Sequence, residues 1–432
     1  MKIIFIYPDR YSSVKKPRFR FYRAPPLNLL TIAGMTSDDF EMEIIDERYK
    51  QINFDVKVDI VAITVLTTHA PRSYEIADEF RKRGVFVVLG GVHPTFMYEE
   101  AKPHADTIIM GEAENTWDKF LSDFKQGKPK SVYSSSLPDL KTVPLPRWDI
   151  LPDKSRYIAL VQTSRGCPND CSFCSVTRFS GRKVRVRPVE SVLDEIKYHG
   201  KKLIIFVDDN ILGNIRYAKK LFTSLIPLKI KWVGEASTNL LKVPHMIELA
   251  AKSGCRGMFI GFESISQKAL KLVNKSFNKV KEYKKLIDTL HHYGIAVIGS
   301  FMFGLDTDDK QTFYETSRFL DSVDIDVASL SITTPLPGTR MFDELHSQGK
   351  IFEKDWTKFD GLHSTFYPKH ISPEQLEKCL DKIYKEFYRP VKVFKRILRL
   401  MRYAPVMIPV NIKFMFAARN GLVPDRSREN FI

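Results

Sequence analysis

Short runs that are apolar at every position recur along this chain, separated by stretches of helical spacing, and this alternation constrains the fold more than any other feature. Runs at 3–7, 42–45, 60–65, 85–89 and 107–110 are interleaved with helix-like segments at 27–35, 74–83 and 116–124. A strand with no polar face is buried on both sides, which is the condition of a parallel sheet covered by helices. Residues 1–125 therefore predict a doubly wound, Rossmann-like α/β domain whose ligands sit at the carboxyl ends of the strands. Those ends carry Tyr7-Pro8, Thr67-Thr68-His69, Gly90-Gly91-Val92-His93-Pro94 and Gly111-Glu112. Glycine there either lets backbone come close to a ligand or simply turns the chain after a strand.

Residues 126–156 are polar and broken by proline, as in Lys128-Pro-Lys and Leu145-Pro-Arg-Trp-Asp, and read as a linker. A second alternation follows over 157–345, with strands expected at 158–162, 203–207, 230–233, 257–260, 296–302 and 327–332 and helices between them, among them 189–198 and 280–292. Six strand-helix units in succession suit an open, partial (β/α)6 barrel of the TIM type, with its chemistry at the carboxyl strand ends. Residues 346–432 form a basic helical extension. At 432 residues the chain is long enough for two full cores.

The first barrel strand runs into Thr163-Ser-Arg-Gly-Cys-Pro-Asn-Asp-Cys-Ser-Phe-Cys. Cys167, Cys171 and Cys174 are spaced so that one short loop can wrap three corners of a cubic iron-sulfur cluster, whose irons take thiolates. No fourth protein ligand lies nearby, which would leave one iron open for catalysis. Zinc is the competing metal, but a structural zinc site takes four ligands, usually in two pairs, and no second pair exists here. The remaining cysteines, Cys255 and Cys379, are isolated and read as core or neutral. Five cysteines is an odd count in a chain of this length and argues against a disulfide framework.

The C-x3-C-x2-C loop, with the aromatic Phe173 before its last cysteine, resembles the signature of radical S-adenosylmethionine (SAM) enzymes. That resemblance implies Cys167, Cys171 and Cys174 as ligands of a [4Fe-4S] cluster, SAM chelated by the open iron and cleaved to a 5′-deoxyadenosyl radical, and Phe173 against the adenine. Three acidic strand ends, Asp208-Asp209-Asn210, Gly234-Glu235-Ala-Ser237 and Gly261-Phe-Glu263-Ser264, would repel one another across one mouth unless a cationic ligand such as SAM were present. They resemble the family's SAM-binding motifs and imply Asp208, Asp209, Glu235, Ser237, Glu263 and Ser264 as SAM contacts; as helix starts, the same residues would be ordinary caps. The stretches 299–305 and 335–340 are similar to the family's signatures at strands five and six.

The first domain, taken in order, resembles the cobalamin-binding domain that precedes the radical module in one branch of that family. The resemblance implies that Thr67, Thr68, Gly90, Gly91, His93, Gly111 and Glu112 line a corrinoid pocket. The D-x-H-x-x-G motif that ligates cobalt in methionine-synthase-like domains is absent. The reaction expected is cobalamin-dependent C-methylation of an unactivated carbon in a small or lipid-like metabolite, with SAM consumed both as radical source and as methyl donor. Cyclisation or rearrangement without methyl transfer is the alternative within the family, and RNA methylthiotransferases would carry cysteines before Cys167 that this chain lacks.

The net charge of +16 gathers at the two ends of the chain. Near the amino end Arg10, Lys15, Lys16, Arg18, Arg20 and Arg23 interleave with Tyr11, Phe19, Phe21 and Tyr22, a pattern that would bind phosphates or stack bases or, more simply, form a polar loop over the mouth between domains. In the helix-like stretch 373–403, Val391, Phe394, Leu398 and Met401 recur at helical spacing among Lys392, Lys395, Arg396, Arg399 and Arg402. That face either packs on the barrel or lies in a membrane surface. The start of the chain is too short an apolar run for a signal core, and no uncharged run could span a bilayer, so a cytoplasmic enzyme is expected, peripheral to a membrane if the helix attaches, with reduced thiols and a reducing partner of flavodoxin or ferredoxin type. A zinc-bearing nucleic-acid-binding protein, with the basic ends as its footprint, is the reading from a different functional class, and nucleic acid is not expected as a partner of the enzyme.

Overall fold

The computed structural model describes residues 1–10 and 24–419, so the aromatic and basic segment from Tyr11 to Arg23 lies outside the described residues. The early apolar runs pair into a wholly parallel sheet of β1 (Lys2–Tyr7), β2 (Glu41–Asp46), β3 (Ile60–Thr64), β4 (Phe86–Gly90), β5 (Thr107–Met110) and β6 (Val132–Ser134), in the order β2-β1-β3-β4-β5-β6. Alternate residues of β1 enter two separate cores. Ile3 and Phe5 join Leu30, Trp117 and Phe120 from α1 (Leu27–Met35) and α3 (Trp117–Lys125), while Ile4 and Ile6 join Ile76, Ala77 and Phe80 of α2 (Ala70–Lys82). Burial on both faces is why these strands carry no polar period. The strand order reverses beside β1, so the crevice such a sheet offers a ligand opens at the carboxyl ends of β1 and β3.

The stretch expected to be a linker is more structured than that. Val132–Ser134 adds β6 to the edge of the first sheet, pairing Ile109 with Tyr133, and Trp148 is buried against the His199 ring at 4.2 Å between centroids. A three-residue strand is too short to show a period, and one aromatic anchor leaves no pattern at all.

The second sheet is also wholly parallel: β7 (Ala159–Val161), β8 (Leu203–Phe206), β9 (Lys231–Ala236), β10 (Cys255–Glu263), β11 (Ala296–Phe303) and β12 (Val327–Ile332) pair in chain order, giving an open, partial barrel. Its helices include α4 (Val189–His199), α5 (Ile215–Leu225), α6 (Pro244–Lys252), α7 (Tyr283–His292), α8 (Lys310–Ser322) and α9 (Arg340–Ser347). Cys255 begins β10 fully buried in this core, as its apolar neighbours suggest.

The extension does not continue as the single helix expected over 373–403. It breaks into α10 (Pro373–Phe387) and α11 (Pro390–Tyr403), followed by α12 (Ile408–Arg419). Pro390 cannot supply an N–H to the preceding turn, and Arg389 before it takes an extended conformation, as residues preceding proline do. α10 covers the open edge of the barrel, where the Tyr388 hydroxyl donates to the Ala328 carbonyl (2.9 Å) and accepts from the Ala328 amide (3.2 Å). α11 then crosses beneath the amino ends of the strands, with Arg399 and Tyr403 donating to Asp326 just ahead of β12.

Candidate active site

The cysteine loop leaves β7 and is fixed from four directions. Gly166 has φ +91°, and a Cβ there would meet the Lys183 carbonyl at 2.6 Å, because Ser164–Arg165 pairs antiparallel with Arg185–Val186 and brings that strand alongside. The Cys167 amide donates to the Gly181 carbonyl, and the Ser172 amide to that of Val273, beyond β10. From the stretch 335–340, Arg340 donates to the Asp170 carboxylate (2.9 Å) and carbonyl (2.6 Å). The loop is thus shaped by backbone and by charge before any ligand is considered.

None of the five cysteines is in a disulfide. Burial raises the thiols of Cys167 and Cys171, the latter to about 12, so as free thiols they stay neutral and only a strongly positive partner would draw out thiolates. Irons of a cluster are such a partner. Among the described residues no three His, Cys, Asp or Glu side chains converge on a single ion, whereas a cuboidal cluster takes its thiolates at separate corners. The loop fits a cluster, with Cys167, Cys171 and Cys174 as the residues that would hold it.

The acidic strand ends are arranged differently from the sequence expectation. Asp208 is fully buried and does not face the mouth: it accepts from the Thr163 amide (3.2 Å) and hydroxyl (2.7 Å) and from the Ser164 hydroxyl (2.5 Å), securing the root of the cysteine loop. Burial raises its carboxyl to about 6 despite those bonds. Asp209 accepts from the Gly166 amide at 3.0 Å. Glu263, at φ +64° beside a register shift in the β10–β11 pairing, meets the buried Lys275 ammonium at 2.6 Å. The chain's own donors therefore compensate these charges, and mutual repulsion is not an argument for a cationic ligand.

Ser264 is buried and caps the following turn by accepting from the Ser266 amide, while Glu235 and Ser237 lie half-buried at the end of β9. Phe173 packs with Val273, Met302, Leu305 and Met341, and Lys275 lies 5.7 Å over its ring. Phe173, Glu263, Lys275 and the cysteines thus meet at one mouth. Lys275 is the residue that sequence reasoning missed: it follows Glu263 by twelve positions in a polar turn, and only the fold brings the two together.

The expected corrinoid set divides. Gly90 and Gly91 end β4 with bare backbone, and a Cβ on Gly91, at φ +111°, would sit 2.9 Å from the Val65 carbonyl. Gly111, at φ +75°, has nothing within 4 Å of a Cβ position. Thr67 and Thr68 are buried in the turn after β3. At Gly90 and Gly111 no side chain stands between the strand-end backbone and a bound group, which fits the close approach of a large planar ligand. His93, in contrast, is wholly buried, with Nε2 3.3 Å from Glu100, which also accepts from the Trp356 indole of the extension. Glu112 is engaged as well: it accepts from Arg165 (2.7 Å) and from both terminal nitrogens of Arg185 (2.9 and 2.5 Å), and Arg165 also pairs with Glu114. Burial opposes ionisation of Glu112, but the two guanidiniums win and hold its carboxyl below the ordinary range. His93, through Glu100, and Glu112 thus take part in contacts between the first domain and the rest of the chain. Arg185 escaped notice in the run Arg182-Lys-Val-Arg-Val-Arg187, which reads as solvated charge.

Residues 161–320 match the model of the radical SAM superfamily and residues 21–121 that of the B12 binding domain. Bacteriochlorophyllide d C-12(1)-methyltransferase of Chlorobaculum tepidum is 36% identical over 386 residues, covering 86% of this chain and 84% of that protein. Bacteriochlorophyllide d C-8(2)-methyltransferase of the same organism is 34% identical over 419 residues, 91% of this chain and 90% of that one. The solved structure of TsrM, a radical SAM methyltransferase from Kitasatospora setae with cobalamin and a [4Fe-4S] cluster bound, superposes with a TM-score of 0.70 at 15% identity, covering 97% of this chain and 99% of its own, and establishes the shared fold. With a relative this similar along nearly its whole length and the two modules in this order, the chain belongs to the cobalamin-dependent radical SAM family, enzymes that work with a [4Fe-4S] cluster, SAM and cobalamin.

Proposed function

We propose that the protein is a C-methyltransferase that methylates an unactivated carbon of a small, flat and largely apolar metabolite, with a tetrapyrrole as the first substrate class to test. The observation that carries this reading is the junction of the modules: Glu112, at the carboxyl end of β5, grips Arg165 two residues before Cys167, so the reactive ends of both sheets share one buried ion network. The names of the two Chlorobaculum relatives, methyltransferases acting at two positions of bacteriochlorophyllide d, support the substrate class. The lipid-like alternative loses its link to the basic helix, because α11 lies under the amino ends of the barrel strands, opposite the mouth.

When bound, the cluster with SAM supplies a carbon-centred radical and cobalamin supplies the methyl group. The chain's own residues then divide the remaining work. Cys167, Cys171 and Cys174 would hold the cluster at the mouth. Phe173 with Met302, Leu305 and Met341 makes an apolar wall that excludes water from the radical. Glu263, turned by the bulge in β10, and Ser264 are set to orient SAM, with Lys275 compensating the carboxylate. Gly90, Gly91 and Gly111 leave backbone bare where the corrinoid would lie. Single electrons would come from a flavodoxin- or ferredoxin-type partner.

The test is anaerobic turnover of the reconstituted full chain with cobalamin, a reductant, bacteriochlorophyllide d and SAM carrying a deuterated methyl group. The expected result is a product heavier by that methyl group, with one 5′-deoxyadenosine and one S-adenosylhomocysteine per methyl transferred. Production of 5′-deoxyadenosine with a carbon product that gains no label would contradict methyl transfer and assign ring-forming or rearrangement chemistry.

A further inference from the structure

The face of α11 that sequence reading singled out does not pack on the barrel. Val393, Arg396 and Leu400 face inward, at 1%, 7% and 0% exposure. Val391, Phe394, Leu398 and Met401 stand out at 68%, 61%, 46% and 54%, a continuous stripe spaced three, four and three residues apart along one side of the helix. Scattered exposed apolar side chains are ordinary, but four large ones in one row of a single helix are not.

Charge distinguishes among the partners this stripe could meet. The helix holds five basic residues and no acidic one. Lys392 is engaged by Asp321 and Glu386, Arg399 by Asp324 and Asp326, and Arg396 is buried over the Phe387 ring. Lys395 and Arg402 are exposed, have no ion pair among the described residues, and fall beside the stripe on the same flank. A second copy packed antiparallel along the stripe would set these two against their own counterparts, which is repulsive. A bilayer with anionic headgroups satisfies both halves at once, taking the apolar row between its lipids and the two cations at their headgroups.

We infer that α11 docks the protein on an anionic phospholipid surface through Val391, Phe394, Leu398 and Met401, with Lys395 and Arg402 contacting the headgroups. Such docking is independent of the reaction, since the helix crosses the base of the barrel; attached in this way, the enzyme would turn its mouth away from the membrane. No helix among the described residues is long and apolar enough to cross a bilayer, so the attachment is peripheral.

Cosedimentation of the anaerobically prepared full chain with vesicles of phosphatidylcholine alone, or mixed with phosphatidylglycerol, tests this. Binding is expected to the mixed vesicles only and to weaken with added salt. F394D/L398D and, separately, K395E/R402E should each lower the bound fraction about tenfold, while Tyr314→Asp, at an exposed aromatic on α8, leaves it unchanged. An unaltered visible cluster spectrum shows that each variant is folded. Absence of binding to mixed vesicles, or equal binding by F394D/L398D, would overturn the inference. So would a concentration-dependent dimer abolished by F394D/L398D without vesicle binding, which would assign the stripe to a second copy.

Discussion

Lys275 is a buried ammonium set against Glu263 and close to Cys171 and Cys174, and burial alone would push it toward neutrality. The Glu263 carboxylate reverses that and keeps it charged. Removing one member of such a pair leaves the other without compensation in a low-dielectric site, at a cost of about 3–5 kcal/mol. Lys275→Met is therefore expected to lower the unfolding free energy of the protein by that order, and K275M/E263Q to recover most of the loss, as measured by denaturant titration. At this scale the sequence was uneven in what it disclosed. The three cysteines stand out in the sequence because their spacing is local, whereas Lys275 does not, since its pairing with Glu263 arises only when β10 and the turn after it fold together. Asp208 shows why: an acidic residue at a strand end looks the same in sequence whether it faces a ligand or, as its bonds to Thr163 and Ser164 show here, fastens a loop.

Between elements, the junction of β5 with the cysteine loop carries the most consequence. Glu112→Gln would weaken both guanidinium contacts while keeping size and shape. The variant is expected to retain its cluster absorbance and to form 5′-deoxyadenosine, but to yield about tenfold less methylated product per 5′-deoxyadenosine, because misplacement between modules penalises transfer more than cleavage. Equal coupling in wild type and variant would show that the network is structural only. The sign of the pH effect follows from the depressed carboxyl. With its folded pKa below the unfolded value of about 4.3, Glu112 stabilises the fold at pH above that value, and the contribution disappears as pH falls through the folded pKa. E112Q should accordingly flatten the acid limb of the unfolding curve. Long elements were predicted well because burial leaves an all-apolar run in a doubly covered strand and a helical period in an amphipathic helix. β6 and the break at Pro390 were not: one is too short for a period, and the other interrupts a pattern that stays amphipathic on both sides.

Across the whole molecule, two parallel sheets meet at their carboxyl ends while the extension closes the far edge and base of the second. The order of the modules and the end at which chemistry belongs were legible because all-apolar strands in alternation with helices permit few other folds. The inter-module ion network and the outward direction of the α11 stripe were not, since both depend on which surfaces meet. The radical chemistry proposed for this protein depends on three thiols gripping a cluster whose remaining iron would receive SAM. Electron paramagnetic resonance of the reduced, reconstituted full chain before and after SAM addition tests this most directly. A reduced [4Fe-4S] signal that shifts when SAM is added, and is lost in Cys171→Ala, is the predicted result; a signal indifferent to SAM, or one that survives the substitution unchanged, would contradict it.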